Sequence, residues 1–451
     1  MKWFKRILVA LALLLVAAAA VPFFVTLDDY IPRIEKEASA RLKEPVTIKS
    51  IKVGMLPLPH VVVDGISVGK TEDLKLGKVT VTPDLFSLLG ETKVIKSIEL
   101  KSLVLTLKAV DKIPVWSKAD GAKPAAQPPL VRIESIRLDD ALVKLDKTNF
   151  GPFDARISLD GKGEPVDASI TTQDGKLKAT VKPDKSNYLI DATAKSWKLP
   201  AGPAIQFDEL VIKGVATLNG AEFSQISAKL YEGTVNGRAT VAWQKGLQFK
   251  GNLDINQVEL KSLVPLVSPG TNMSGRFNAK PVFSAAAADA GQLMNALHVE
   301  TPFNVQNGVL HGVDIQKAAT SLIKQGEGGG ETRFEQLSGH LVRDRGAHQF
   351  TQLKISSGAL AAEGNVNISA KQELSGRVNA QIKAVGTSAG VPLNVAGTVH
   401  SPLLYPTGGT MAGAAIGSVL LPGVGTGLGM KAGQAIENLF GGKNDKQPAK
   451  K

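Results

Sequence analysis

Apolar and polar residues alternate along most of the chain from Val46 onward, and this pattern restricts the fold more than any other feature. Alternation with a period of two residues is typical of a strand that buries one of its faces. Turn residues separate the runs and leave little room for crossover helices, so the pattern favours antiparallel meanders over βαβ units. The clearest runs lie at 61–63, 75–82, 103–108, 131–138, 176–181, 210–218, 234–242, 247–255, 303–310, 353–356, 364–368, 374–382 and 393–399.

Helical patterns are few and short. Residues 31–42 place apolar side chains at three- and four-residue steps, which predicts one amphipathic helix. Asp28 or Asp29 is its predicted N-terminal cap, and Pro45 is its predicted end. Two placements remain open for this helix, one against a bilayer and one over the end of a sheet. Further helices are predicted at 84–89, 260–267, 285–297 and 313–324.

These patterns predict a mainly β fold. The expected architecture is a long antiparallel curled sheet or groove, built of meandering strands with a few short helices and preceded by one N-terminal transmembrane helix. A segment poor in large side chains and rich in proline interrupts it and is interpreted as a flexible loop. The predicted divisions are 1–27, 28–118, 119–130 (the loop), 131–270, 271–405, 406–440 (glycine-rich and apolar) and 441–451 (a basic tail).

The amino-terminal segment predicts a membrane anchor. Ile7–Val25 is an apolar run without charge that follows three cations. At 1.5 Å per residue this run nearly crosses a hydrocarbon layer of about 30 Å. The preceding cations place the start of the chain in the cytoplasm, so we expect the bulk in the periplasm of a bacterial cell. A cleaved signal peptide, with Ala18–Ala20 at the cleavage site, is the alternative. The anchor residues are Ile7, Leu11, Leu14, Val21 and Val25.

Charge and cysteine content exclude several classes of protein. The formal net charge is +12, carried mostly by lysine, and part of it lies at the two ends of the chain. No arginine-rich helix or basic stripe interleaved with aromatic residues is present, so a nucleic-acid partner is not expected. The chain contains no cysteine, which excludes disulfides, thiolate metal sites and cysteine nucleophiles.

Two neighbouring segments of the chain resemble each other. Ile95–Leu100 and Ile133–Leu138 share their pattern, and the likeness continues into the following residues. In both segments the apolar positions shift by one residue halfway along. A bulge or kink at each shift would keep the apolar side chains on one face and bend the sheet in the same way twice.

The search for catalytic or metal-binding groups yields no strong candidate. The six histidines are scattered without metal-ligand spacing, and neither a metal nor a cofactor is predicted. Gly386–Gly390 matches the letters of the hydrolase nucleophile elbow, but a strand pattern follows where that motif needs a helix. The chain is therefore predicted not to be an enzyme, and hydrolysis by Ser388 is the competing hypothesis.

The glycine-rich stretch at 411–430 carries no charge and has small residues at four-residue spacing. Small side chains allow helices to approach closely in lipid, whereas the glycine content and Pro422 oppose a stable helix. Three interpretations remain open: a hairpin inserted in a membrane, a packing arm, or a disordered tail.

Several motifs together resemble the AsmA-like family of bacterial envelope proteins. The N-terminal ones are Asp28–Ile34, Pro45–Ile48, Pro57–Pro59, Val63–Gly69 and Pro83–Gly90, and the distal ones are Asn307–Ile315, Thr332–Leu337 and Ala362–Ile368. The resemblance extends at low density over nearly the whole chain. It implies an inner-membrane anchor, a periplasmic β-rich body and a role in outer-membrane biogenesis, with lipid passage as the leading proposal. It implies no catalytic residues.

The expected function is the binding or conduction of phospholipid along an apolar β-groove. Each CH₂ group removed from water contributes about 0.8 kcal/mol, so acyl chains favour such a groove. An ordinary closed β core is the structural alternative. The functional alternative is an anchored scaffold that assists outer-membrane protein assembly without carrying lipid. Besides the inner membrane and phospholipid, an outer-membrane or periplasmic protein is an expected partner at the C-terminal end. The groove candidates are Leu100, Leu103, Leu105, Leu107, Val143 and Leu145.

Overall fold

The computed structural model shows a mainly β protein of two compact units. Unit 1 comprises residues 1–224 with 289–291, and unit 2 comprises 225–288 with 292–451. The predicted seven-part division of the chain stays a prediction. The structure describes residues 27–106, 108–109, 112, 130–144, 149–200, 202–217, 219–244, 246–288, 290–320, 329–382, 390–408 and 431.

Unit 1 contains strands β1 to β11 and the start of β12. Its helical elements are a short 3₁₀ helix η1 (Asp28–Tyr30), the helix α1 (Ile31–Leu42) and a second 3₁₀ helix η2 (Phe86–Leu89). The strands are β1 (Val46–Gly54), β2 (His60–Val68), β3 (Leu74–Pro83), β4 (Thr92–Thr106), β5 (Leu130–Ile133), β6 (Ser135–Lys144), β7 (Asn149–Leu159), β8 (Pro165–Thr172), β9 (Leu177–Asp184), β10 (Asn187–Lys198), β11 (Gln206–Ala216) and β12 (Gly220–Leu230).

Unit 2 contains the end of β12 and strands β13 to β23. Its helices are α2 (Leu260–Val267), α3 (Ala290–Leu293, partly assigned to unit 1) and α4 (Ile315–Thr320). The strands are β13 (Gly233–Ala242), β14 (Leu247–Glu259), β15 (Met273–Ala279), β16 (Val282–Ala287), β17 (His298–His311), β18 (Glu331–Asp344), β19 (Ala347–Ser356), β20 (Leu360–Ile368), β21 (Leu374–Ile382), β22 (Gly390–Thr398) and β23 (Ser401–Pro406).

Most neighbouring strands pair antiparallel, as predicted, but one junction in unit 1 does not. Strand β4 pairs in parallel with both β5 and β6. The expectation of an uninterrupted antiparallel meander is therefore wrong at this junction. The physical reason is the long segment between β4 and β5, because a parallel pair needs a crossover connection of a dozen residues or more.

The two similar sequence segments lie side by side in this parallel pair. Ile98 pairs with Ile136, and Leu100 pairs with Leu138. At the predicted shift of the apolar pattern, Ser102 and Asp140 have φ values of 56° and 60°, and the Ser102 hydroxyl donates to Asp140 Oδ2 at 3.0 Å. The predicted kink is therefore confirmed in both segments. The extra residue in each strand returns the following apolar side chains to the same face.

Helix α1 covers the outer edge of β1. Its side chains accept hydrogen bonds from two backbone N–H groups of β1, at 2.7 Å from Ile48 to Glu35 and at 2.9 Å from Val46 to Ser39. A third bond runs from Ile51 N to Asp28 Oδ1 of η1 at 3.0 Å. An edge strand with free backbone N–H and C=O groups can pair with a strand of another chain, and helix α1 covers this edge of β1. Of the two placements left open by the sequence, the one over the sheet is observed.

Helix α1 has the predicted bounds, 31–42, and ends before Lys43, which adopts a left-handed conformation ahead of Pro45. Two details of the predicted helices are wrong. Asp28 and Asp29 lie in η1 and do not cap α1, because Asp28 is used by β1 instead. The predicted helix at 285–297 is mostly absent, since 282–287 form β16, which pairs with β14 and β17. Alanine-rich sequence favours a helix, and tertiary pairing overrides that preference here.

The remaining helices agree better with their sequence patterns. Helix α2 has the predicted bounds, 260–267. Helix α4 covers the middle of the predicted 313–324, of which 321–324 lie outside the described residues. The segment at 84–89 forms the 3₁₀ helix η2 over its last four residues.

An ion cluster around the buried Asp73 connects the turn between β2 and β3 with Glu44, which precedes β1, and with Lys112, which follows β4. Lys112 Nζ contacts Asp73 Oδ2 at 2.9 Å and Glu44 Oε1 at 2.6 Å, and the Thr71 hydroxyl donates to Asp73 Oδ1 at 2.6 Å. Asp73 is only 4% exposed. The hydrogen bond from Thr71, followed by that from Lys112, lowers the pKa of Asp73.

We expect Asp73→Asn to lower the free energy of unfolding by about 1.5–3 kcal/mol at neutral pH, the range for a hydrogen bond to a charged group. Because the folded state lowers the pKa of Asp73, its contribution is complete above the ordinary carboxyl pKa and is lost as the pH falls through the folded value. Urea unfolding at several pH values should therefore show a flatter acid limb in the variant. Glu72→Gln, at an exposed neighbour paired with Lys75, is the control and should change little. An equal loss in both variants would contradict the assignment.

Candidate functional site

The strands of unit 1 carry one continuous row of apolar side chains. Residues that pair directly across neighbouring strands point to the same face of a sheet. The pairing registers therefore place ten residues, one from each of ten strands, in a single row on one face. They are Ile51, Val63, Val79, Leu100, Leu138, Ala155, Ile170, Ala179, Ala192 and Ile212.

A second row lies on the other side of the kink and on the same face. It begins at Val46 on β1 and ends at Phe150 on β7. Its members are Val46, Val68, Leu74, Leu105, Val143 and Phe150. These two rows are called the apolar face of unit 1 below. Between them lie Leu76, Leu103, Ala141 and Phe153, which are buried.

The opposite face is polar at the adjacent positions. One residue along each strand from the first apolar row, the same registers align a row with a single apolar member, Val62. Two ion pairs stabilise this side, Lys52 with Asp64 at 3.7 Å and Lys213 with Asp191 at 3.7 Å. The row consists of Lys52, Val62, Thr80, Glu99, Arg137, Arg156, Ser169, Thr180, Asp191 and Lys213.

Most of the apolar face is partly buried, and none of its residues is fully exposed. Eight of the ten residues of the first row are only partly buried, although they lie well inside the sheet. Of the helices bounded above in unit 1, α1 contacts the edge strand β1 and η2 contacts β4.

Unit 2 offers a direct comparison. Helix α2 packs Leu260 against Val305 and Leu337, and helix α4 packs Ile315 and its neighbours on β20 to β23. The largest fully buried side chains of the described residues, Leu393, Val258 and Val305, all belong to unit 2. The two units therefore differ in how the apolar faces of their strands are covered. Helices α2 and α4 pack on strands of unit 2, whereas most side chains of the apolar face of unit 1 are partly buried.

The predicted groove residues fall into three groups. Leu100, Leu105 and Val143 lie on the apolar face and are partly buried. Leu103 lies on the same face but is 9% exposed and belongs to the buried cluster between the two rows. Leu107 and Leu145 lie outside the described residues.

Sequence reasoning missed most of this face. Val63, Val79 and Ile170 are as central to it as the predicted leucines. Their alternation was visible in the sequence, but which strands are neighbours, and in which register, was not. A ten-strand row at about 4.8 Å per strand measures roughly 43 Å, which is long enough to contact several acyl chains.

Several other predicted features lie outside the described part of the chain. The anchor residues and the 411–430 stretch lie outside the described residues, as does Ser388. Among the helices that the structure does describe, none is long and apolar enough to cross a membrane. No group of metal-ligating side chains occurs in the described ranges. The strands on either side of this segment, β21 and β22, pair antiparallel.

Unit 1 is therefore a β-sheet with an aligned polar row on one face and apolar rows on the other. A model of the AsmA family matches residues 144–353, a range that runs from the end of β6 into β19. The chain is therefore AsmA-like, as the sequence motifs indicated. Of those motifs, 307–315 and 332–337 lie inside the matched range, and the N-terminal ones precede it. No curated protein and no solved structure matches the chain.

Proposed function

We propose that this chain is an envelope protein of outer-membrane biogenesis that binds phospholipid on the apolar face of unit 1. The match to the AsmA family suggests the envelope role. The finer proposal depends on one observation, the ten-residue apolar row, partly buried at eight positions, with a polar row at the adjacent positions on the opposite face. In this proposal Ile7–Val25 tethers the chain in the inner membrane and the bulk lies in the periplasm.

Acyl chains are the guests that this face suits best. Its partly buried side chains are aliphatic, together with Phe150, and neither row contains a charged residue. A small polar metabolite would lose hydrogen bonds to water there without replacement, whereas each acyl CH₂ gains about 0.8 kcal/mol on leaving water. The row continues across strands, so a guest could shift along it without crossing a polar barrier. Conduction as well as binding is therefore part of the proposal.

A photo-crosslinking amino acid tests the proposal directly. Leu105 lies on the apolar face, and the next residue back, Val104, points to the opposite face and pairs with Lys75. With the crosslinker at position 105, we expect at least about tenfold more phospholipid adducts in cell envelopes than with the crosslinker at 104. Mass spectrometry of the adducts identifies the lipid class. Equal adducts at the two positions, or none at 105 in well-expressed protein, would contradict lipid binding.

The scaffold alternative needs an open sheet edge or another docking surface for a partner. Strand β23 pairs with β22 and is the last strand that the structure describes. Two of its six residues, Pro402 and Pro406, lack the N–H that strand addition requires. This edge therefore gives the scaffold little support. A partner at the C-terminal end remains part of our proposal, through side-chain contacts rather than strand addition.

A further inference from the structure

The first described residue, Leu27, is held beside strand β1 by hydrogen bonds. Leu27 N donates to Ile51 O at 3.2 Å, and Ile51 N donates to Asp28 Oδ1 at 3.0 Å. These two bonds fix the chain beside the last part of β1, three residues before Gly54 where that strand ends. The uncharged apolar run of residues 7–25 therefore joins unit 1 close to this end of the strands.

Two loops at this same end carry exposed apolar side chains. Val61 on β2 pairs with both Val53 and Val81, so the loops after β1 and after β3 lie at one end of the sheet. The first loop is Met55–Pro59 and the second contains η2. Neither the first loop nor Leu85–Gly90 contains a charged residue. The exposed fractions are 71% for Leu56, 54% for Leu58, 49% for Leu85, 90% for Phe86 and 93% for Leu89.

The second loop is held in this arrangement by its polar groups. Phe86 N donates to Asp84 Oδ1 at 3.0 Å, the Ser87 hydroxyl donates to Asp84 O at 2.7 Å, and Val94 N donates to Ser87 Oγ at 2.8 Å. The polar groups are thus satisfied toward the sheet, and the apolar side chains are left pointing into solvent. An apolar tip that is already ordered has little conformational entropy to lose on burial.

We propose that these two loops, together with the exposed Tyr30 of η1, dock unit 1 on the phospholipid surface of the membrane that holds residues 7–25. This surface is called the docking end. A bilayer is the occupant that the position of Leu27 specifies, because an anchor joined at this end brings the loop tips to the bilayer interface. Tyrosine is enriched at such interfaces, and uncharged apolar tips enter them at low cost.

The proposal deepens the proposed function, on which it rests. The apolar rows approach the docking end through Val61, Val81 and Ile98, which pair with one another in turn. These three valine and isoleucine side chains would connect a lipid at the docking end with the first apolar row.

The absence of cysteine makes a labelling experiment direct. Leu89→Cys and Leu56→Cys place a unique thiol in each loop of the docking end. Lys70→Cys, in the turn between β2 and β3, places it in a loop at the other end of the same strands, about 30 Å away for nine residues of β2. The full chain, labelled with an environment-sensitive fluorophore, is reconstituted into vesicles of phosphatidylethanolamine and phosphatidylglycerol. A minority of the lipids carries a quencher on the acyl chains.

We expect blue-shifted emission at positions 56 and 89 and at least threefold stronger quenching there than at position 70. Emission and quenching equal to those at position 70 would overturn the proposal. Blue-shifted emission that the lipid quencher does not reduce would also overturn it, because it would mean that a second copy of the chain covers the loops. The crosslinking at Leu105 is a separate measurement, so lipid binding by the apolar face can hold while docking fails, or the reverse.

Discussion

Val63→Asp is expected to lower the phospholipid that co-purifies with the full chain by at least about tenfold. Val63 lies in the first row of the apolar face, between Ile51 and Val79. A carboxylate at this position would have to lie against acyl chains without a partner. A penalty of about 1.4 kcal/mol corresponds to a tenfold change in affinity, and burying an unpaired carboxylate costs more than that. Lipid phosphorus per mole of purified protein measures the effect.

The neighbouring valine supplies a matched control. Val62 is the same residue type on the same strand, but it faces the polar side and pairs with Lys52 and Thr80. Val62→Asp should therefore leave the bound lipid unchanged within about twofold, and the nearby lysine favours the new charge. An equal loss of lipid in both variants would indicate a general folding defect and would contradict a specific lipid face.

The stability of the two variants separates an open face from a closed core. If the face of unit 1 is open, the carboxylate that Val63→Asp introduces stays hydrated in the lipid-free protein, and the free energy of unfolding changes by only about 1 kcal/mol. In a closed core the same carboxylate would be buried and would cost several kcal/mol. A severely destabilised Val63→Asp protein beside a stable Val62→Asp protein would support the closed core.

Leu393→Ala should lower the stability of unit 2 by about 2–5 kcal/mol, the range for a large-to-small change in a tightly packed core. Leu393 is 0% exposed, and its cluster includes Ala380 and the α4 residues Ile315 and Ala318. The lost methyl groups leave a cavity that the surrounding strands and helix cannot fill completely. Hydrogen exchange of β20 to β22 in increasing urea, followed on the full chain, measures the local free energy of opening.

Leu105→Ala is the comparison in unit 1. Leu105 also lies on the apolar side of its strand, but it is only partly buried. We expect it to lose less than half as much stability as Leu393→Ala, because less apolar surface returns to water. Similar losses at the two positions would mean that the face of unit 1 is covered as completely as the core of unit 2.

Features that depend only on residues close together in the sequence could be predicted from the sequence. The bounds of helix α2 follow from its apolar spacing, and the kinks at Ser102 and Asp140 follow from a one-residue shift in alternation. The alanine-rich segment around β16 shows the limit of such reasoning. Its intrinsic preference is helical, but pairing with β14 and β17 stabilises a strand.

Several residues of the candidate site could not be predicted because their importance depends on register. Val63 is central only since β2 lies between β1 and β3 with a fixed alignment, and a slip of one residue would turn it to the polar side. The parallel pairing of β4 and β6 was likewise hidden, although the sequence repeat was visible. The sequence similarity predicted that the two segments bend in the same way. It did not predict that they pair directly with each other, which only the structure shows.

The sequence by itself determined that this chain forms one-sided strands in large number, because alternation requires only that each strand bury one face. It also indicated the likeness to the AsmA family, through motifs of which 307–315 and 332–337 lie inside the matched range 144–353. Only the tertiary structure decided which apolar faces are covered. Alternation is the same whether a helix or a guest covers the face, and here α2 and α4 cover strands of unit 2, whereas most residues in the rows of unit 1 are only partly buried.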